Sequence, residues 1–158
     1  MMPSPLSLET YFFTKIHLDA CEKAGKEPAT GVLSSKVNCL QHKQDAQKWM
    51  VTLGVSQHED KEKGRPPYVF EVEAVGFFTV DKQYPAEKAE VLVRANGAAV
   101  LFGAIREMVA NLSARGPFAQ VNLPTVTFVD EVVKHEPQEL KARRKAGAPR
   151  QTVADGRP

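Results

Sequence analysis

The sequence predicts an α+β fold: a four-stranded antiparallel sheet, arranged as a meander, with two helices packed on one face. Three observations predict it. Residues 49–56 alternate apolar with small or polar side chains in strict period two, the pattern of a half-buried strand. Residues 98–115 repeat apolar side chains at three- and four-residue spacing, the pattern of an amphipathic helix. The connections between strand-like runs are short, which favours consecutive antiparallel pairing.

The first strand is expected over residues 10–18, where Phe12, Ile16 and Leu18 alternate with Phe13, Lys15 and His17. A second covers about 33–42, with Leu33, Val37 and Cys39 on one face and Lys36 and Asn38 on the other. Polar residues 43–47 make the turn into the third strand, where Trp49, Val51, Leu53 and Val55 share one face. A charged run at 59–63 followed by Gly64, Arg65, Pro66 and Pro67 ends that strand, because proline cannot continue a hydrogen-bonded ladder. The fourth strand, 68–75, puts Tyr68, Phe70, Val72 and Ala74 on one side. Gly76 before consecutive Phe77 and Phe78 suggests a β-bulge that turns both rings in a new direction.

Helical spacing begins after Tyr84, with Pro85 suited to a first helical position and Ala89, Leu92 and Val93 at fitting intervals within 86–94. Asn96 and Gly97 punctuate it. The main helix, 98–115, carries Leu101, Ile105, Met108 and Leu112 on one stripe and ends at Gly116 and Pro117, the first able to take a left-handed cap. Residues 118–128 read as extended, lying across or beside the sheet, and a short helix is expected from about Asp130.

With 158 residues, 42% hydrophobic and 25% charged, the chain suits one globular domain rather than a disordered protein. Its boundaries are read as a flexible start, 1–9, a domain over 10–133 and a basic tail over 134–158. That tail carries seven Lys and Arg against three acids, a charge of +4 that leaves −2 on residues 1–133 of the net +2. Lacking apolar periodicity and aromatics, it reads as a solvated, mobile charge run rather than a nucleic-acid site. No run of about 20 apolar residues and no basic start with a long apolar stretch occurs, so a cytoplasmic protein without membrane insertion is expected.

Cys21 and Cys39 have no CxxC spacing, so reduced thiols are expected. His17, Asp19 and Cys21 fall near one another on a strand, yet zinc calls for three or four convergent nitrogen or sulfur ligands. Nothing matches GxSxG, HExxH, a phosphate loop or a dinucleotide fingerprint. Neither an enzyme nor a bound cofactor is expected.

Residues 101–128, LFGAIREMVANLSARGPFAQVNLPTVTF, closely resemble the carboxy-terminal core of the SecB chaperone family, where an LFPYARE-type helix leads into RG-F-P-x-L-x-L-x-P-V-x-F. Leu101, Phe102, Arg106 and Glu107 take the helix positions, and Arg115, Gly116, Phe118, Asn122, Leu123, Pro124, Val126 and Phe128 follow in register. Residues 68–80, YVFEVEAVGFFTV, are similar to the family's A-F-L-x-E-V-x-x-x-G-I-F-x-I strand through Glu71, Val72, Gly76 and Phe78. Weaker similarity over the earlier strands extends the resemblance to roughly 10–130. Gly103 and Ala104 replace the family's Pro-Tyr pair, and the Cys-Pro usually preceding it is absent.

The resemblance implies an ATP-independent holdase that keeps unfolded preproteins competent for export, assembled as a homotetrameric dimer of dimers. A chaperone dedicated to one client, such as an antitoxin, is the alternative. Client contact would fall to Phe70, Phe77, Phe78, Phe118 and Leu123, although each phenylalanine alone could equally be core. The stripe Leu101, Ile105, Met108 and Leu112 would meet other subunits. Glu71 and Asp19 would dock the translocase motor SecA, with Lys15 standing where the family has an acid.

Overall fold

The computed structural model describes residues 3–21, 31–60 and 65–128. Strands β1 (Leu6–Ala20), β2 (Val32–Gln41), β3 (Lys48–His58) and β4 (Tyr68–Val80) precede helices α1 (Ala86–Leu92) and α2 (Ala98–Ser113), which a π-helical turn over Val93–Gly97 joins. The tail 134–158 and the helix expected from about Asp130 lie outside the described residues.

All four strands form one antiparallel sheet in the order β1-β4-β3-β2. The meander therefore holds from β2 to β4, while β1 lies beside β4 instead of β2. Composition explains the exchange. β4 is buried at Phe70, Val72, Ala74, Val75, Phe78 and Val80, so it needs neighbours on both sides. β1 carries Glu9, Lys15, His17 and Asp19, and charged side chains suit an exposed edge. β1 also starts at Leu6, which pairs with Val80, so residues 6–9 belong to the fold and not to a leading segment.

Two register shifts break the alternation of β1, between Leu8 and Thr10 and between Phe13 and Lys15. Glu9 and Thr14 are the extra residues. Between these bulges the faces exchange, so Phe12 pairs with Val75 while Ile16 pairs with Val72, residues on opposite faces of β4. Leu6, Phe13 and Leu18 pack against the core. The bulge expected at Gly76 is absent: β3 and β4 run in unbroken register from Lys48 opposite Thr79 to Gln57 opposite Phe70. Glycine is there because the helix comes close, since a Cβ would meet the Phe78 ring at 2.8 Å and Leu101 Cδ2 at 2.9 Å.

The alternation of β3 is as the sequence predicts, with Trp49, Val51, Leu53 and Val55 at 7%, 0%, 0% and 1% exposure. Against this face lie Ala89, Val93, Ala98, Leu101, Phe102, Ile105 and Val109. Burial of each large apolar side chain contributes roughly 1.5–3 kcal/mol, which is what orders the helical layer. Asn96 and Gly97 do not end a helix, because Gly97 keeps helical angles of φ −61° and ψ −45°. The wider π turn instead brings Gly97 onto β3, where a Cβ would stand 3.1 Å from Val51 Cγ2.

Tyr68 fixes the end of α2. Its buried hydroxyl donates to the Ser113 carbonyl at 3.1 Å and accepts from the Phe118 N–H at 3.0 Å. Gly116 follows from this, since a Cβ would strike Tyr68 Oη; it does not adopt the left-handed cap. Residues 119–128 then form no strand but a strap without regular structure. Ser113 Oγ accepts the Val121 N–H at 2.9 Å, and Leu123 and Phe128 are buried, Phe128 edge-on to Phe102 at 5.9 Å.

Candidate functional site

Because α1 and α2 cover one face of the sheet, the other carries no helix among the described residues, and β-strand alternation decides what it displays. Cross-strand partners share a face. Leu40 faces Met50, Met50 faces Phe77, and Phe12 lies beside Phe77 with ring centroids 6.2 Å apart. These four make an apolar band across all four strands. Leu40, Phe12 and Phe77 remain 51%, 48% and 37% exposed. Isolated apolar side chains on a surface are ordinary, but a contiguous band spanning a sheet marks a contact surface.

The same face is polar toward the other end of the strands. Lys36, Gly54 and Glu73 lie in one row, and Ser34, Ser56, Glu71 and His17 in the next. Lys15 Nζ is ion-paired with Glu71 Oε2, His17 Nε2 contacts Asp19 Oδ2 at 2.8 Å, and Thr14 donates to Glu73. The hydrogen bond from Lys15 holds the Glu71 carboxyl below its ordinary value. Glu71 is thus paired with a cation on the neighbouring strand. Asp19 and Glu71 both lie on this face.

A groove of about 530 Å³ lies at the apolar end, beside the β2–β3 turn. Leu40, Met50 and Phe77 line it, with Lys43 and Lys48 at the turn. The turn is held by its own side chains: His42 Nδ1 accepts the N–H groups of Gln44 and Asp45 at 3.2 and 3.1 Å. Gln41 Nε2 closes it on the Ala46 carbonyl at 2.7 Å.

The five residues expected to contact a client are not brought together. Phe70, Phe78 and Leu123 are 2%, 1% and 6% exposed, within the core, Leu123 as part of the strap itself. Phe77 points to the helix-free face, so it and Phe78 part as a regular strand requires. Phe118 is half-buried, edge-on to Tyr68 at 5.6 Å. Sequence reasoning missed Phe12, Leu40 and Met50, whose common signal was the face they share with Phe77 once register is known.

On the helices, Leu101 and Ile105 are fully buried against the sheet, whereas Met108 and Leu112 are half-buried. The outward surface carries Val91 and Val100, 48% and 46% exposed, beside exposed Gly103. Leu8, Tyr11 and Ile16, at 38%, 44% and 48%, add apolar surface on the free edge strand β1.

A family model described as preprotein translocase subunit SecB matches residues 7–138. Among solved structures, the chain is similar to a SecB-like chaperone of Mycobacterium tuberculosis, in complex with a ChAD peptide from the HigA1 antitoxin. That match has a TM-score of 0.62 and 12% identity, covering 77% of this chain and 90% of that one. A protein of unknown function from Streptococcus agalactiae matches with a TM-score of 0.50 and 16% identity, over 75% of this chain and 96% of that one. At these identities the structural matches speak for the fold. No curated protein sequence matches significantly.

Proposed function

The chain belongs to the SecB family, and on that premise we propose that it is an ATP-independent chaperone that holds nonnative polypeptides. The observation that carries this reading is the band of Phe12, Leu40, Met50 and Phe77 on the sheet face opposite α1 and α2. An unfolded segment presents apolar side chains that this band can remove from water, and each such contact is weak. Several contacts along one chain supply avidity, and binding of the unfolded form withdraws it from folding or aggregation by mass action. Phe118 extends the contact surface at the end of α2, while Phe70, Phe78 and Leu123 support it from within.

The active form in this proposal is a cytoplasmic homotetramer. Val91, Val100 and the half-buried Met108 and Leu112 give the helices an apolar outer surface, and Leu8, Tyr11 and Ile16 extend it along β1. Leu101 and Ile105 would act from within, shaping the helix face that a partner meets. No helix among the described residues is long and apolar enough to cross a membrane.

Clients in the leading reading are preproteins passed to SecA, with Glu71 and Asp19 on the docking face. The Lys15–Glu71 ion pair favours a second reading, a chaperone dedicated to one client. The Mycobacterium tuberculosis protein in complex with an antitoxin peptide has a similar fold. Light scattering from a chemically denatured, aggregation-prone protein tests the proposal directly. Suppression without ATP, weakened by Phe12→Ser with Phe77→Ser, is expected; unchanged aggregation at several-fold molar excess would overturn it. Repeating the measurement with SecA and a preprotein, and with a co-expressed antitoxin, separates the two clients.

A further inference from the structure

Charge distribution around the groove at the β2–β3 turn says more than that an apolar segment fits there. Leu40, Met50 and Phe77 give it an apolar lining, and its volume of about 530 Å³ is ample for a bulky side chain. Leu40 and Phe77 stay 51% and 37% exposed, so this is an open groove through which a chain can pass. Its titratable lining is cationic at the turn, with Lys43 and Lys48 exposed beside His42. Neither ammonium pairs with a carboxylate among the described residues. One acid, Glu9, also lines the groove; it accepts the hydroxyl of Thr79 and keeps its charge, so two lysines stand against one carboxylate. Further along the face Glu71 and Glu73 stand beside Lys15 and Lys36, so the charge there is mixed.

We infer that this groove selects extended peptide segments in which a bulky apolar or aromatic residue is followed or preceded closely by Asp or Glu. The apolar side chain occupies the Leu40–Met50–Phe77 lining, and the carboxylate meets Lys43 and Lys48. The chain's own residues 134–158 are the wrong occupant, because their charge of +4 repels the same lysines. This inference rests on the chaperone reading and names the class of segment that the site prefers.

The test uses the full chain and three fluorescent peptides of equal length. One has a central Trp flanked by Asp and Glu, one has the same Trp flanked by Lys, and one keeps the acids but replaces Trp by Ser. Anisotropy should give the acidic Trp peptide about threefold to tenfold tighter binding than the basic one, as expected of two exposed charge pairs, with the Ser peptide weakest. The double variant Lys43→Glu with Lys48→Glu should invert the preference while melting like the parent, and Lys43→Glu alone should remove part of it. Equal affinity for both flanks, or a preference that survives the double variant, overturns the inference. So does a change of mass by light scattering in that variant, which would assign the groove to a second copy. Suppression of aggregation, measured on the same samples, keeps the failures apart: if it persists while flank charge is irrelevant, the chaperone reading stands and this selectivity does not.

Discussion

Phe12 and Phe77 lie on adjacent antiparallel strands with ring centroids 6.2 Å apart and planes tilted by 39°, both on the sheet face opposite α1 and α2. Phe78, one residue further, is 1% exposed under the helical layer. Two adjacent phenylalanines thus have different surroundings, one open to solvent and one packed in the core.

Phe77→Ala should cost only about 1 kcal/mol, the scale of an exposed cross-strand pair, yet should clearly weaken client holding. Phe78→Ala should cost about 3–5 kcal/mol through lost transfer energy and the cavity it leaves. Melting and aggregation assays on both variants check this. Equal loss of stability in the two would remove the distinction between the faces.

Tyr68→Phe deletes the hydroxyl that joins the Ser113 carbonyl to the Phe118 N–H, leaving buried groups without a partner. A loss of about 1–3 kcal/mol is expected. Amide exchange should quicken at Phe118 and Val121 before it does in β3. Uniform acceleration across the chain would mean that the strap is not a separately anchored unit.

Gly76→Ala must displace the Phe78 ring and Leu101, and a cost of about 1–3 kcal/mol is expected from overpacking. Gly103→Ala meets nothing within 4 Å on the outside of α2 and should stabilise the helix by about 0.5–1 kcal/mol. Chemical denaturation of both variants gives the comparison. Should Gly103→Ala lower stability while also lowering the mass in solution, the outer helix surface is a subunit contact that needs glycine.

The Lys15 ammonium holds the Glu71 carboxyl below its ordinary value of 4.5. A carboxyl depressed in the folded state stabilises it above the unfolded pKa, and that contribution fades as pH falls through the folded value. The contribution is therefore complete above about pH 4.5, and its pH dependence is confined to the range below. Lys15→Met should move the Glu71 titration, followed by carboxyl NMR, back up toward 4.5. An unmoved titration would show that the pair does not form in solution.

Burial pushes the Cys39 thiol up to about 11 from 9.0. At pH 8 its thiolate is then scarcer by about two orders of magnitude, and alkylation should be about a hundredfold slower than for a free thiol. Mass spectrometry of partially alkylated protein reads this directly. The accompanying stability is complete below pH 9 and falls as pH rises toward 11, because only the unfolded chain then ionises freely.

The strands were most legible where one rule governed them. In β3, Trp49, Val51, Leu53 and Val55 alternate because a single face is buried, and the stripe at Leu101 and Ile105 follows from the same requirement on a helix. β1 was misread because Glu9 and Thr14 each add a residue opposite β4, and nothing local marks a bulge that a partner strand imposes. Asn96–Gly97 and Gly76 looked like interruptions, yet both glycines answer to close packing between helix and sheet. The exposed band was hidden for a related reason: Phe12, Leu40, Met50 and Phe77 come from four strands, and only register unites them.

The bulges at Glu9 and Thr14 bear on how the length of this chain can drift. Phe13 opposes Ala74 and Lys15 opposes Glu73, consecutive partners, so losing Thr14 would join two residues already paired to neighbours and leave each facing as before. Losing Thr10 or Ile16 instead would send every residue on one side of the gap to the opposite surface. Single-codon deletions along β1 should therefore survive at two positions and fail between them.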